Sequence, residues 1–304
     1  MKKIGLIPVL SLSMAAISPA SHAADTSLLT LEEVIVTVQR REESLQDTPV
    51  SVIAFDAENL AQQRIFGLGD LQGKVPSLNL TPFPSQHTSL RMFIRGVGAS
   101  DIQVTQDPAV GVYIDGVYLG RSNGLAFDVV DLAQLEVLRG PQGTLFGRNS
   151  IGGAINMTTV GAELEVLSAR QKISVGDRNL RSSKTAVNVP IGDKAAARIA
   201  YLNRKQNGWF DNYGPGDDFY DTDDEGGKFD LRWDPTENLS ATYSYDFSDV
   251  KAVSPTYQVL VPSPITNQFG IPVSEKPLNG LATQDPMQPA TSDVSGNSLT
   301  VLWD

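Results

Sequence analysis

The sequence predicts an α+β domain followed by antiparallel transmembrane β-barrel strands, with the barrel incomplete within this chain. Three observations predict it. An apolar leader opens the chain, residues 49–159 mix short strand and helix signals, and beyond about residue 165 apolar and polar residues alternate strictly.

Met1-Lys2-Lys3, the apolar stretch Ile4 to Ile17 and the small-residue end Ser21-His22-Ala23-Ala24 have the three-part texture of a secretory signal peptide over residues 1–23, with cleavage expected after Ala23. Pro8 and interspersed serines leave this run short of the roughly 20 apolar residues that a spanning helix needs. No later run is long enough, so a membrane role for the remainder would have to use strands.

The formal net charge of −11 argues against a nucleic-acid partner, whose phosphates would be repelled. With no cysteine, neither disulfides nor thiolate metal sites can form. His87 is the one histidine beyond the leader, which excludes a His-pair metal site. A Ser-His-Asp arrangement would depend on that residue alone. No catalytic constellation, metal site or cofactor is expected. Asp221-Thr222-Asp223-Asp224-Glu225-Gly226 opens like a calcium loop, but Arg232 occupies the place of the closing glutamate, so it reads as a solvated acidic loop.

Residues 24–48 form a polar segment expected to be flexible, with one β-branched island, Val34-Ile35-Val36-Thr37-Val38, preceded by Glu32-Glu33. Such an island can add a strand to another protein's sheet edge, or simply begin the next domain, and spacing alone favours the latter. In the domain that follows, residues 50–55 are strand-like and Asp56 is placed to cap a helix through Ile65. Leu68 to Leu71 starts a further helical turn. Asp115-Gly116 sits between two β-rich arms as a tight hairpin turn. Residues 132–139 are helical or extended, and Gly140-Pro141-Gln142-Gly143 is a turn.

After residue 165, Phe229, Leu231 and Trp233 alternate with charged neighbours, and Leu239, Ala241, Tyr243, Tyr245 and Phe247 alternate with polar ones. Further strands are expected at 167–175, 181–189, around 197–201 and at 298–304. Tight turns at 190–194 and 234–238 contrast with long connections at 206–225 and 250–297, which favours a membrane barrel over a soluble sandwich.

One stretch carries more than pattern. Leu135-Glu136-Val137-Leu138-Arg139-Gly140-Pro141-Gln142-Gly143-Thr144-Leu145-Phe146-Gly147, followed by Gly152-Gly153-Ala154-Ile155-Asn156, closely resembles the plug motif of TonB-dependent outer-membrane receptors. In the same order, Glu32 to Val38 resembles a TonB box, Val75-Pro76-Ser77-Leu78 an early plug segment, and Phe93-Ile94-Arg95-Gly96-Val97-Gly98 the plug's arginine-glycine motif. The resemblance implies a plug over 49–160 seated in a barrel of about 22 strands, of which residues 165–304 would supply about six. Its implied partners are TonB with its inner-membrane energising complex, outer-membrane lipid, and a small-molecule substrate, foremost an iron chelate. Its implied place is the outer membrane of a Gram-negative bacterium.

Six strands cannot close around such a plug, and no terminal aromatic assembly signal is present, so the resemblance implies the N-terminal part of a receptor. Glu32, Glu33, Val34, Ile35, Val36, Thr37 and Val38 would bind TonB. Arg95, Gly96, Glu136, Arg139, Gly140, Pro141, Gly143, Gly147, Gly152 and Gly153 would shape the plug, with both arginines paired to carboxylates and the glycines allowing turns and close backbone approach. A plug module without transport and a secreted hydrolase are the competing readings.

Overall fold

Backbone pairing builds two very different bodies of sheet, one filled with apolar side chains and one whose apolar side chains face outward. The computed structural model describes residues 35–36, 43–44 and 48–303, apart from 84–85, 104, 123, 126–128, 255, 257, 269–272, 275, 277 and 284. The signal peptide expected over 1–23, and Glu32, Glu33, Val34, Thr37 and Val38 of the box, lie outside the described residues.

A short antiparallel pair comes first, β1 (Ile35–Val36) against β2 (Glu43–Ser44). The α+β body follows with β3 (Val52–Asp56), α1 (Ala57–Gln62), β4 (Leu78–Phe83), β5 (Gln86–Ile94), β6 (Val97–Gly98), β7 (Val110–Ile114), β8 (Val117–Leu119), β9 (Leu132–Arg139), α2 (Gly143–Phe146) and β10 (Gly153–Thr159). Five of the strands form a sheet in the order β3-β9-β10-β7-β8, and β4-β5-β6 form a second sheet. The pairing of β10 with β7 is parallel, whereas its pairing with β9 is antiparallel.

Local chemistry sets these boundaries. The Asp56 carboxylate accepts the Asn59 backbone N–H at 2.8 Å and starts α1 as expected. The helix ends at Gln62 rather than Ile65 because Arg64 turns left-handed at φ 54°. Residues 132–139 resolve to strand, since β9 is the inner strand that β3 and β10 both need. Phe55, Leu68, Leu71, Leu90, Ile94, Leu135, Val137, Ile155 and Met157 fill the core between the two sheets, α1 and the single 3₁₀ turn at Leu68–Leu71. Each contributes about 1.5–3 kcal/mol by leaving water.

The second body is one antiparallel sheet, β11 (Ser168–Gly176), β12 (Leu180–Ile191), β13 (Ala195–Gln206), β15 (Thr222–Thr236), β16 (Leu239–Ala252) and β18 (Ala290–Trp303). It is a separate sheet in the strand order, and β11 does not pair with β18 among the described residues. Strands β14 (Asp211–Asn212) and β17 (Gly280–Leu281) pair in parallel, zipping the two long connections to each other beside a short helix α3 (Pro264–Gln268). The last strand begins eight residues before the expected 298. Its outward positions Asp293, Ser295 and Asn297 are polar, so the ladder continues where the alternation stops. For the same reason Thr222 to Glu225, read as loop, are the start of β15.

Register assigns every side chain of this sheet to one of two faces. Val187, Ile199, Phe229 and Tyr245 stand in one outward row, and Ala197, Leu231, Tyr243 and Leu299 in the next. Several outward side chains of the sheet are bare: Ile199 is 57% exposed, Ile173 73% and Trp303 85%. On the inner face, Asn188, Arg198, Asp230 and Ser244 are paired neighbours in one row and all are buried. Greasy outside and polar inside is the inverse of a water-soluble sheet and is the arrangement of a strand wall in lipid. From Leu239 to Phe247 the outward apolar run covers about 27 Å at about 3.4 Å per residue, close to the height of an outer-membrane apolar band once tilt is allowed for. Trp233 and Trp303 mark its lower margin and Tyr201, Tyr245 and Phe247 its upper one.

Candidate functional site: the glycine motif and its seam with the strand wall

The motif segments, far apart in sequence, meet at one end of the five-stranded sheet. Arg95 and Gly96 form the turn between β5 and β6 with φ of 52° and 80°. The Arg95 backbone N–H donates to the Ser77 carbonyl at 2.9 Å, so the early segment 75–78 touches this turn. The Arg139 N–H donates to the Ser51 carbonyl at 2.9 Å while the Arg95 guanidinium donates to the Ser51 hydroxyl at 3.2 Å. Gly140 donates to Gly152 at 3.0 Å and Gly152 to Ala109 at 2.9 Å, closing the junction.

One expectation for this motif is not met among the described residues. Neither Arg95 nor Arg139 meets a carboxylate among the described residues. Arg95 settles for the Ser51 hydroxyl, and the Arg139 Nε is buried without a hydrogen-bond partner among the described residues. The glycines divide between the two uses expected of them, close approach and turns. A Cβ on Gly152 would lie 2.7 Å from the Val97 carbonyl oxygen, and one on Gly153 would strike the Leu138 carbonyl oxygen, whereas Gly143 and Gly147 have open space. Gly147 is required for its φ of 76° instead, as α2 ends there. Pro141 sits in the turn before α2, and Tyr113 donates its hydroxyl to the carbonyl of Phe146, the last residue of α2, at 2.6 Å.

Glu136 is 1% exposed, in the middle of β9. It accepts the Gln134 and Asn156 side-chain amides at 3.0 Å each, which satisfies a carboxylate that would otherwise be costly to bury.

The residues that join the α+β body to the strand wall are ones that sequence reading missed. Asp131, in the left-handed turn before β9, accepts a forked pair of hydrogen bonds from Arg198 of β13. Both side chains are nearly inaccessible, at 11% and 7%. One rung along, Lys228 of β15 sits 2.9 Å from Asp115 and 3.1 Å from Asp230, and also donates to the Thr159 hydroxyl. Asp115 in turn accepts both the backbone and the hydroxyl of Thr159 at 2.8 Å. The amide of Asn188 bridges the Glu163 backbone on both sides, at 2.8 and 3.0 Å. The partners are 67 and 113 residues apart for Arg198 and Lys228, and no local pattern links such positions. The available signal was chemical: Arg198, Lys228 and Asp230 fall on the face opposite the apolar one, so each needed a partner inside.

The acidic stretch read as a solvated loop is tied down by local pairs. Asp221 accepts the Gly208 backbone N–H, and burial pushes its carboxyl above the ordinary range. Asp223 pairs with Lys205 at 3.0 Å. Nearer the loops of the α+β body, Arg121 holds the exposed Asp107 carboxyl below its ordinary range across 2.6 Å.

Comparison with known proteins converges on this architecture. The family model described as the TonB-dependent Receptor Plug Domain matches residues 44–154. The vitamin B12 transporter BtuB of Vibrio vulnificus is 27% identical over 157 residues, 51% of this chain and 25% of BtuB. The pesticin receptor of Yersinia pestis is 32% identical over 142 residues, 46% of this chain and 20% of that receptor. Among solved structures, the ferric yersiniabactin uptake receptor FyuA of Y. pestis superposes with a TM-score of 0.65 at 25% identity, over 83% of this chain and 38% of FyuA. The ferric-catecholate import receptor Fiu of E. coli shares the fold, with a TM-score of 0.62 at 20% identity over 85% of this chain and 36% of Fiu. The chain spans about a quarter of the length of the curated relatives it matches. Residues 44–154, with the complete glycine motif, thus form a TonB-dependent receptor plug domain, and together with a wall that is apolar outside and polar inside they resemble the fold of FyuA.

Proposed function

We propose that this chain serves energy-coupled uptake of a scarce nutrient across the outer membrane of a Gram-negative bacterium, with a ferric siderophore as the substrate. The inverted strand wall bonded to the plug is the observation that carries the reading, because a wall apolar outside and polar inside, held to a folded body on its polar face, suits gated passage. FyuA and Fiu, which share the fold, import ferric chelates, and the resemblance to BtuB makes cobalamin the second substrate to test.

In this reading residues 1–23 direct export and are removed, 49–160 act as the plug, and 165–304 contribute about six strands to the barrel wall. TonB, driven by its inner-membrane energising complex, grips residues 32–38 and pulls on the plug. The work is done on conformation, and no covalent change of the substrate is involved. The relatives are receptors and transporters rather than enzymes.

Two measurements test this. Val36→Pro removes a backbone donor from the box strand, and is expected to abolish capture by the C-terminal domain of TonB while the plug stays folded. Undiminished capture would refute the box assignment. Ile199→Arg puts a charge in the middle of the outward belt, which is expected to cost about 2–4 kcal/mol in a bilayer and almost nothing on a water-facing surface. Equilibrium unfolding from lipid vesicles separates the two, and an effect under about 0.5 kcal/mol would remove the membrane reading. Growth of a deletion strain on ferric chelates or cobalamin as limiting nutrient then names the substrate.

A further inference from the structure

The two cations that fasten the plug to the wall each stand directly opposite a carboxylate of the wall itself. Arg198 of β13 faces Asp230 across the ladder to β15, and Lys228 of β15 faces Asp246 across the ladder to β16. At rest both cations reach for the plug. Arg198 donates its fork to Asp131, and Lys228 sits 2.9 Å from Asp115 and 3.1 Å from Asp230, two residues along its own strand. Asp246 is left with no hydrogen bond or ion pair among the described residues. It is exposed on the inner face and shares a cavity of about 50 Å³ with Lys228 and Thr159. Its ladder partner on the other side is Gly296, which brings no side chain to compete for it.

Space and charge both suit an exchange of partners. The cavity exceeds the roughly 10–15 Å³ that one water needs, so the Lys228 ammonium has room to swing. Directly opposed Cβ atoms lie about 4.5–5.5 Å apart, within reach of a lysine stem. Once the plug carboxylates are withdrawn, the wall keeps two cations, Arg198 and Lys228, and two carboxylates, Asp230 and Asp246, a set that is neutral by itself. On the plug side Asp115 keeps the backbone and hydroxyl of Thr159, which travel with it.

We propose that Lys228 has two seats, Asp115 when the plug is in place and Asp246 when it is displaced, while Asp230 passes to Arg198, so that release of the plug exchanges ion pairs instead of stranding charges. The inference rests on the transport reading and deepens it by naming the wall residues that receive the cations when the plug moves. A buried pair broken without replacement is strongly unfavourable, and that cost would hold the plug shut. A second set of partners on the wall lowers the cost of release without loosening the resting seam.

The test is the rate at which protease cuts the turn around Asp115 in the full chain, refolded into lipid vesicles without denaturant. That rate follows the population with the plug open when opening and closing are fast. Asp246→Asn is expected to slow cutting about fivefold, the size of one partly exposed ion pair. It should leave the guanidinium unfolding midpoint where it is, since Asp246 makes no bond at rest. Asp246→Glu keeps the carboxylate and should cut within about twofold of the parent. Asp223→Asn, which removes the partner of Lys205 away from the seam, should not alter cutting. Unchanged cutting in Asp246→Asn overturns the exchange. Slower cutting with a raised midpoint overturns it as well, because Asp246 would then act by repelling Asp115 and Asp230 in the resting seam. Capture by the C-terminal domain of TonB is read separately. If capture persists and Asp246→Asn cuts at the parental rate, only the exchange falls, whereas absence of capture with the slowing intact removes the transport reading.

Discussion

Lys228→Met is expected to lower the stability of the plug-wall assembly by about 3–5 kcal/mol, the cost of leaving buried charges without their partner. Asp115 from the plug and Asp230 from the wall both lie on the Lys228 ammonium, with Asp230 only 3% accessible. Asp246, its cross-strand partner, lines a small cavity with it. Deleting the cation leaves carboxylates facing one another with too little water to screen them. Unfolding by guanidinium from lipid vesicles reads the loss, and limited proteolysis should cut the plug faster at the turn around Asp115. Adding Asp230→Asn to Lys228→Met should restore part of the loss, because it removes one of the abandoned charges. A shift below about 1 kcal/mol, the range of exposed ion pairs, would show that the plug is not seated on this lysine.

Gly153→Ala is expected to cost about 2–5 kcal/mol, combining a strained backbone with an overpacked contact. The residue holds φ at 153°, and an added Cβ would meet the Leu138 carbonyl of the adjoining strand and lie 2.8 Å from the Ile94 side chain. That carbonyl belongs to the ladder between β9 and β10, so it cannot retreat without breaking pairing at the junction of the motif. Gly143→Ala supplies the contrast: with open space around it and a place in α2, it should be neutral or slightly stabilising. Thermal unfolding of the two variants distinguishes a glycine demanded by contact from one that merely recurs in the motif. Equal melting temperatures would refute the packing argument.

Much of this molecule is written locally. Asp56 announces its helix, and Asp115-Gly116 its hairpin, since caps and tight turns depend on a few adjacent residues. Phe229, Leu231 and Trp233 between charged neighbours announce a two-faced strand, since the period of two is a property of the backbone itself. The same rule failed at Ala290 to Asn297 and Thr222 to Glu225, where the ladder runs past the apolar belt and partner strands, not side-chain pattern, hold the backbone extended.

By itself, the sequence determined that a glycine-turned α+β body precedes strands with one apolar and one polar face, because propensity, capping and alternation act over a few residues. Which face looks inward, and which charges cross the seam, only the tertiary structure decided. Asp131 reaches Arg198, and Asp115 reaches Lys228, because folding brings distant positions to one rung of the wall. A buried charge compels a partner without saying which. The arginines of the motif show the converse, for Arg95 turned to Ser51 when the strand end that carries it came to rest beside a hydroxyl rather than a carboxylate.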